Sequence, residues 1–366
     1  MMRLIAGGRT SIMVMTSEAK MTGRPEGEEA GSSPDIRGNA PSSQGAAGFA
    51  GILACVDGSP HSADVLAWAT ALSRSLNAPL RTLHVLDKPA AQGAPPDPLA
   101  WELTRRETQN RIEALLEHAG VGDAHDAVLE VAVGPFHDRL ASQLVENPVD
   151  LCVVGAVGEG TQSGGVIGAR ARRIVETSPC SVLIVPPRRG DEAGGGATSI
   201  RRIMVPLDCS RRAETALPAA IALADASGAE IVMTHAVPAA TITEIGPPDE
   251  VDDALRRKLT ERNLKAAERY MSRLRGRLAL ERRPIRTLIL SGAEPRHQLV
   301  RAAQDEAADL IVLSAKGAGG YADQALGSVA DFLLTHLGKP LLIVRAGPER
   351  KPPVLAEPSE PTRGRA

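Results

Sequence analysis

Aromatic side chains are scarce: three Phe, two Tyr and two Trp make up 2% of 366 residues. Cores must therefore be built from Ala, Val, Leu and Ile, and the base-stacking platforms of many nucleic-acid binders are not expected. Charge of neither sign is in excess. A formal net charge of -2 gives no electrostatic case for nucleic acid or for an anionic membrane surface as a partner. Cysteine is scarce as well: Cys55, Cys152, Cys180 and Cys209 stand far apart with no C-x-x-C pair. That spacing suits neither a disulfide framework nor a zinc site and reads as reduced thiols in a cytoplasmic protein. No His-Glu or Cys-His clustering suggests a metal centre. No apolar run reaches about 18 residues, so no membrane span is expected. The opening "MMRLIAGGRTSIMVMTSEAK" is interrupted by Arg9, is followed by no clear cleavage site, and does not read as a signal peptide. Neither G-x-x-x-x-G-K-[ST] nor G-x-G-x-x-G follows a strand, which removes the P-loop and dinucleotide readings.

Glycine and proline, by contrast, are plentiful and unevenly placed. Stretches rich in Gly, Pro, Ser and charge read as a disordered arm over 1–48, a linker over 188–199 and a loose tail over 347–366. The two segments between them, 49–187 and 200–346, repeat each other. "ILACVDGS" (52–59) matches "IMVPLDCS" (203–210), which sets Asp57 over Asp208 and, further on, His84 over His235 at an offset of 151. "DLCVVGAVG" (150–158) matches "DLIVLSAKG" (309–317), and "SVLIV" (181–185) matches "PLLIV" (340–344), now at an offset of 159. The halves are one fold used twice.

Each half alternates short apolar runs with longer amphipathic stretches. Strands are expected at 51–56, 80–86, 128–133, 150–155 and 181–185, and again at 202–207, 229–236, 285–291, 309–314 and 341–345. Helices are expected at 60–76, 99–119, 136–146 and 167–177, and at 211–227, 250–280, 295–306 and 325–337. Apolar runs without strict alternation mean strands covered on both faces, the mark of a parallel sheet between helical layers. Right-handed crossovers make each half an α/β, doubly wound, five-stranded, Rossmann-like domain. A ligand then sits beyond the carboxyl ends of the strands, where the winding reverses. Asp57 and Asp208 end the first strand of each half; Gly155 and Ser314 end the fourth, and the glycine-rich loop after it runs to a helix N-terminus suited to phosphate.

In these residues the chain resembles the universal stress protein family, whose pattern is Gly, two residues, Gly, nine residues, then Gly followed by Ser or Thr. Gly155, Gly158 and Gly168 match the three glycines in the first half, and Gly317, Gly327 and Ser328 the later positions in the second. Two places depart: Ala169 stands where the family has a hydroxyl, and Ser314 where it has the first glycine. The resemblance covers both repeats and implies the adenine nucleotide hydrolase-like fold. It also implies ATP or another adenine nucleotide as ligand, with Mg as an optional counter-ion. Asp57 and Asp208 match the family's adenine-contacting acid; Val85 and Ala236 on the second strands, and Arg170 and Val329 after the last loop position, complete the two expected sites. Arg170 is expected to replace the phosphate contact that Ala169 cannot make. The resemblance further implies pairing of the last strands, here within one chain as a pseudo-dimer, with further homodimerisation open. No residue is placed as a general base, so nucleotide is expected as a regulatory ligand, hydrolysed at most slowly. A nucleotide-free scaffold of the same fold is the alternative. His84 and His235, in mid-strand, read as core residues; Cys209, beside Asp208, is a candidate oxidant or nucleotide sensor.

Overall fold

A computed structural model describes residues 2–7, 10–17, 49–86, 98–119, 128–158, 167–187, 198–240, 250–278, 284–292, 294–317 and 324–345. The expected linker and tail fall almost wholly outside these residues. The chain opens with a hairpin, β1 (Met2–Gly7) and β2 (Thr10–Ser17). The first half follows as β3 (Ile52–Val56), α1 (Ser62–Leu76), β4 (Leu80–Leu86), α2 (Pro98–His118), β5 (Val128–Val133), α3 (Phe136–Glu146), β6 (Leu151–Gly155), α4 (Ala169–Thr177) and β7 (Ser181–Val185). The second half is β8 (Arg202–Pro206), α5 (Arg211–Glu214), α6 (Leu217–Ser227), β9 (Glu230–Val237), α7 (Glu250–Leu278), β10 (Ile285–Ser291), α8 (Pro295–Asp305), β11 (Leu310–Ser314), α9 (Ser328–His336) and β12 (Leu341–Val344).

Among the described residues the strands form one twelve-stranded sheet, in the order β1-β2-β5-β4-β3-β6-β7-β12-β11-β8-β9-β10. Within each half the five repeat strands are parallel, and the winding reverses between the first strand and the fourth, β3 beside β6 and β8 beside β11. Each half is therefore the doubly wound α/β unit that the alternating runs predict. Equivalent turns close it: α1 ends at Asn77 and α6 at Gly228, both left-handed at φ 51° and φ 73°, the conformation that terminates a helix by turning its last amides back on its carbonyls.

Two expectations need correction. The helix expected at 211–227 is two, α5 and α6, separated at Thr215 and Ala216. Pro218 lacks an amide proton and so belongs in a first turn, where α6 places it. The arm expected to be disordered over 1–48 is paired at its start: β1 runs antiparallel to β2, and β2 lies parallel to β5. The edge of β5 would otherwise offer unpaired amides and carbonyls, and the backbone of the hairpin takes them up. Residues 18–48 lie outside the described residues.

The halves meet through β7 and β12, which pair antiparallel with Leu183 opposite Leu342, Val182 opposite Ile343 and Ile184 opposite Leu341. Leu183 and Leu342 are repeat-equivalent, so a pseudo-two-fold axis passes between them. Because side chains alternate across a strand, two apolar cores form on opposite faces of the sheet, and both cross this seam. One joins Ile52, Val56 and Leu183 to Ile203, Val205 and Leu342; the other joins Leu53, Cys152 and Val182 to Met204, Leu341 and Ile343. The axis also passes between Arg172 and Asp331, equivalent positions 159 residues apart, where the Arg172 Nη1 donates to Asp331 Oδ1 at 2.9 Å. Two copies of the first half would instead oppose two arginines there. Arg345 donates to the Val175 and Glu176 carbonyls at the end of α4, a favourable place for a cation. Its counterpart, Pro186, has no donor to reciprocate. The seam is thus built for unlike halves. Among the described residues no helix is long and apolar enough to cross a membrane.

Candidate functional site

The carboxyl ends of β3 and β6 open onto one crevice, those of β8 and β11 onto its counterpart. At the end of β3, Asp57 Oδ1 accepts from the Ser59 amide at 3.0 Å and from the Ser62 hydroxyl at 3.0 Å. That hydroxyl in turn accepts from the amides of Asp57 and Gly58, each at 3.2 Å. Ser62 Oγ thereby uses its one proton and both lone pairs. In the second half Asp208 Oδ1 accepts from the Ser210 amide at 3.0 Å, and Ser210 Oγ caps α5 by accepting from Ala213 at 3.1 Å. Gly58, at φ 80°, has Cys209 as its counterpart at φ 65°.

Both aspartates meet the loop glycine expected across the crevice. A Cβ built on Gly158 would come within 2.7 Å of Asp57 Oδ2, and one on Gly317 would press on Asp208 Oδ2 more closely still. Glycine is required at these positions because a carboxylate lies over them. The loops close alike, the Gly168 amide donating to Ala156 O at 2.7 Å and the Gly327 amide to Ala315 O at 2.8 Å. These two glycines are the N-caps of α4 and α9, and neither has a side chain to cap its helix. Ala169 and Ser328 open those helices, with Arg170 and Val329 next. Residues 159–166 and 318–323, the middles of the two loops, lie outside the described residues.

In the first half Asp57, Val85, Gly155 and Arg170 line one cavity, together with His61 and Phe136. The Arg170 guanidinium lies 5.8 Å from the centre of the Phe136 ring. Of the three arginines at the start of α4, Arg172 turns to Asp331 while Arg170 stays at the crevice. In the second half Ala236 is half-buried against the seam-crossing core. Ser314, where the family pattern has glycine, donates its hydroxyl to Lys316 O at 2.8 Å, so its side chain satisfies the loop backbone.

His61 and Ser62 are neighbours of the site that sequence reasoning passed over. The His61 imidazole lies against Gly155, where a Cβ would come within 2.8 Å of its Cδ2 and 3.0 Å of its Nε2. Its Nε2 is 2.9 Å from Val185 O and its Nδ1 3.2 Å from Asp64 Oδ2. The only sequence signal is a mismatch between the repeats: His61 faces Arg212, and Gly155 faces Ser314.

Of the two histidines expected to be core residues, His84 is buried and His235 only half-buried; they brace the same place in each half, with His84 Nδ1 2.9 Å from Val56 O and His235 Nδ1 2.7 Å from Leu207 O. Cys209 is exposed, with its Sγ 3.8 Å from His235 Nδ1, and partial desolvation together with Asp208 and Glu214 pushes its pKa up to about 11. That direction disfavours the thiolate on which oxidant sensing depends. Cys55 and Cys152 are buried with their sulfurs 3.7 Å apart, and burial pushes Cys180 up to about 12. Among the described residues no group of three or more His, Cys, Asp or Glu could hold a metal ion.

Residues 49–186 and 199–345 each match the Universal stress protein family. Universal stress protein Rv2005c of Mycobacterium tuberculosis is 25% identical over 301 residues, covering 81% of this chain and 97% of that protein. Universal stress protein Rv2623 of the same organism is 24% identical over 306 residues, covering 81% and 96%. Among solved structures, a universal stress protein from Archaeoglobus fulgidus superposes with a TM-score of 0.54 at 17% identity, over 81% of this chain and 97% of the other; that likeness speaks to the fold alone.

Proposed function

The chain belongs to the universal stress protein family, and from that premise we propose that it binds ATP or another adenine nucleotide as a regulatory ligand in a cytosolic stress response. The observation that carries this reading is the meeting, in both halves, of a strand-end carboxylate with a loop glycine at the mouth of a glycine-capped helix. A carboxylate accepts from the exocyclic amine of adenine, and a glycine loop leading into a helix N-terminus presents amides and partial positive charge to phosphates. Arg170 supplies a guanidinium on the phosphate side of the first crevice, and Ser328 a hydroxyl in the second. Mg is an optional counter-ion to the phosphates. The reading includes no catalytic role for any residue.

Calorimetric titration of the full chain with ATP tests it. The Asp57→Ala/Asp208→Ala variant is expected to bind at least about tenfold more weakly, a loss of about 1.4 kcal/mol. Circular dichroism of the same sample establishes that it remains folded, since Asp57 also ties the start of α1. Unchanged affinity in a folded double variant would sink the reading and leave a scaffold that uses the fold without nucleotide.

A further inference from the structure

The two crevices differ at three coordinated positions. The first has His61, Asp64 and Gly155; the second has Arg212, Thr215 and Ser314 in their places. In the first, the His61 side chain is only 9% exposed and lies on the Gly155 backbone. It is fixed at one ring nitrogen by the last carbonyl of β7 and at the other by Asp64. It lines the same cavity as Asp57, Val85 and Arg170. In the second, Arg212 is exposed, and the fourth strand ends in a serine satisfied by its own loop. At Gly155 a Cβ would meet both the imidazole and, at 3.1 Å, the Val157 carbonyl; in the second half, where the imidazole is missing, a Cβ is accepted.

We propose that His61 is a built-in occupant of the first crevice, so that the second crevice is the high-affinity nucleotide site and the first fills only when His61 swings out. This rests on the nucleotide reading above and refines which site operates. A ligand approaching the Gly155 backbone must displace an imidazole that is largely buried. Swinging out gives up its hydrogen bond to Val185 O and its packing on Gly155, although that carbonyl keeps the Ala156 amide at 2.7 Å. Among the described residues the second crevice has no imidazole at the equivalent place, where Arg212 is exposed. The expected consequence is an affinity about 2- to 10-fold lower in the first crevice, the span corresponding to the net loss of one hydrogen bond.

The test titrates the full chain with ATP in four forms: the parent, Asp208→Ala, His61→Ala/Asp208→Ala, and Arg212→His/Thr215→Asp/Ser314→Gly. The parent is expected to show one tight site, and Asp208→Ala to lose it. Adding His61→Ala should then raise the remaining affinity about 2- to 10-fold by freeing the first crevice. The triple variant transplants the occupant and should weaken the tight site, a result that does not depend on how well His61→Ala is tolerated. Two equal sites in the parent, or no gain on adding His61→Ala, would overturn the inference while leaving the nucleotide reading standing. No binding by any form would remove both.

Discussion

Replacing Leu183 by alanine is expected to lower the stability of the chain by about 2–5 kcal/mol and to move the unfolding of both halves together. Leu183 is 1% exposed and lies opposite Leu342, also 1% exposed, on the strand pair that joins the halves. Truncation removes apolar contact and leaves a cavity that backbone on both sides, held in a ladder, cannot collapse to fill. That cavity opens into a core with residues from both halves, so neither half is insulated from the loss. Both tryptophans, Trp68 and Trp101, belong to the first half. Fluorescence therefore follows that half, while far-ultraviolet circular dichroism follows the whole chain. In denaturant the two midpoints should coincide in the parent and fall together in the variant. A variant in which only the fluorescence transition moves would show two independently stable domains rather than one joined body.

Replacing Gly155 by serine, the residue the second half uses at that place, is expected to cost about 2–4 kcal/mol. The new Cβ would lie 2.8 Å from His61 Cδ2 and 3.1 Å from Val157 O. The imidazole must move, which sacrifices its bond to Val185 O and strains a packed site. With His61→Ala already present the ring is gone and only the approach to Val157 O remains. The same serine should then cost less than about 1 kcal/mol. Thermal unfolding of the two single variants and the double variant measures this coupling. An equal cost for the serine in both backgrounds would separate Gly155 from His61 and leave the glycine to be explained by something other than the imidazole.

Much of this architecture is local in origin and could be read from the chain. Apolar runs such as "ILACV" and "DLCVV" become strands within a residue or so of their expected bounds, since covered parallel strands leave a signature in a few consecutive residues. The repeat then aligns Asp57 with Asp208 and Gly158 with Gly317, and the position of the winding reversal in doubly wound sheets brings each pair to one place. What escaped is non-local. His61 meets Val185 across 124 residues of sequence, and nothing in "SPHS" says which carbonyl its imidazole will reach. The Arg172–Asp331 pair depends on which faces of α4 and α9 meet over the seam. The N-terminal hairpin exists because β5 leaves an edge to cover, and an edge is a property of the assembled sheet. Cys209 drew attention by its position, but the upward shift of its pKa comes from partial desolvation and from Asp208 and Glu214, only one of which is its sequence neighbour.

Native mass spectrometry of the purified, untreated chain tests the central claim most directly. A population heavier than the polypeptide by the mass of one adenine nucleotide is expected. A second equivalent is expected only at excess added ATP, and reduced occupancy in Asp208→Ala. A chain that carries no nucleotide as purified and takes up none when ATP is added in excess, while remaining folded, would contradict it.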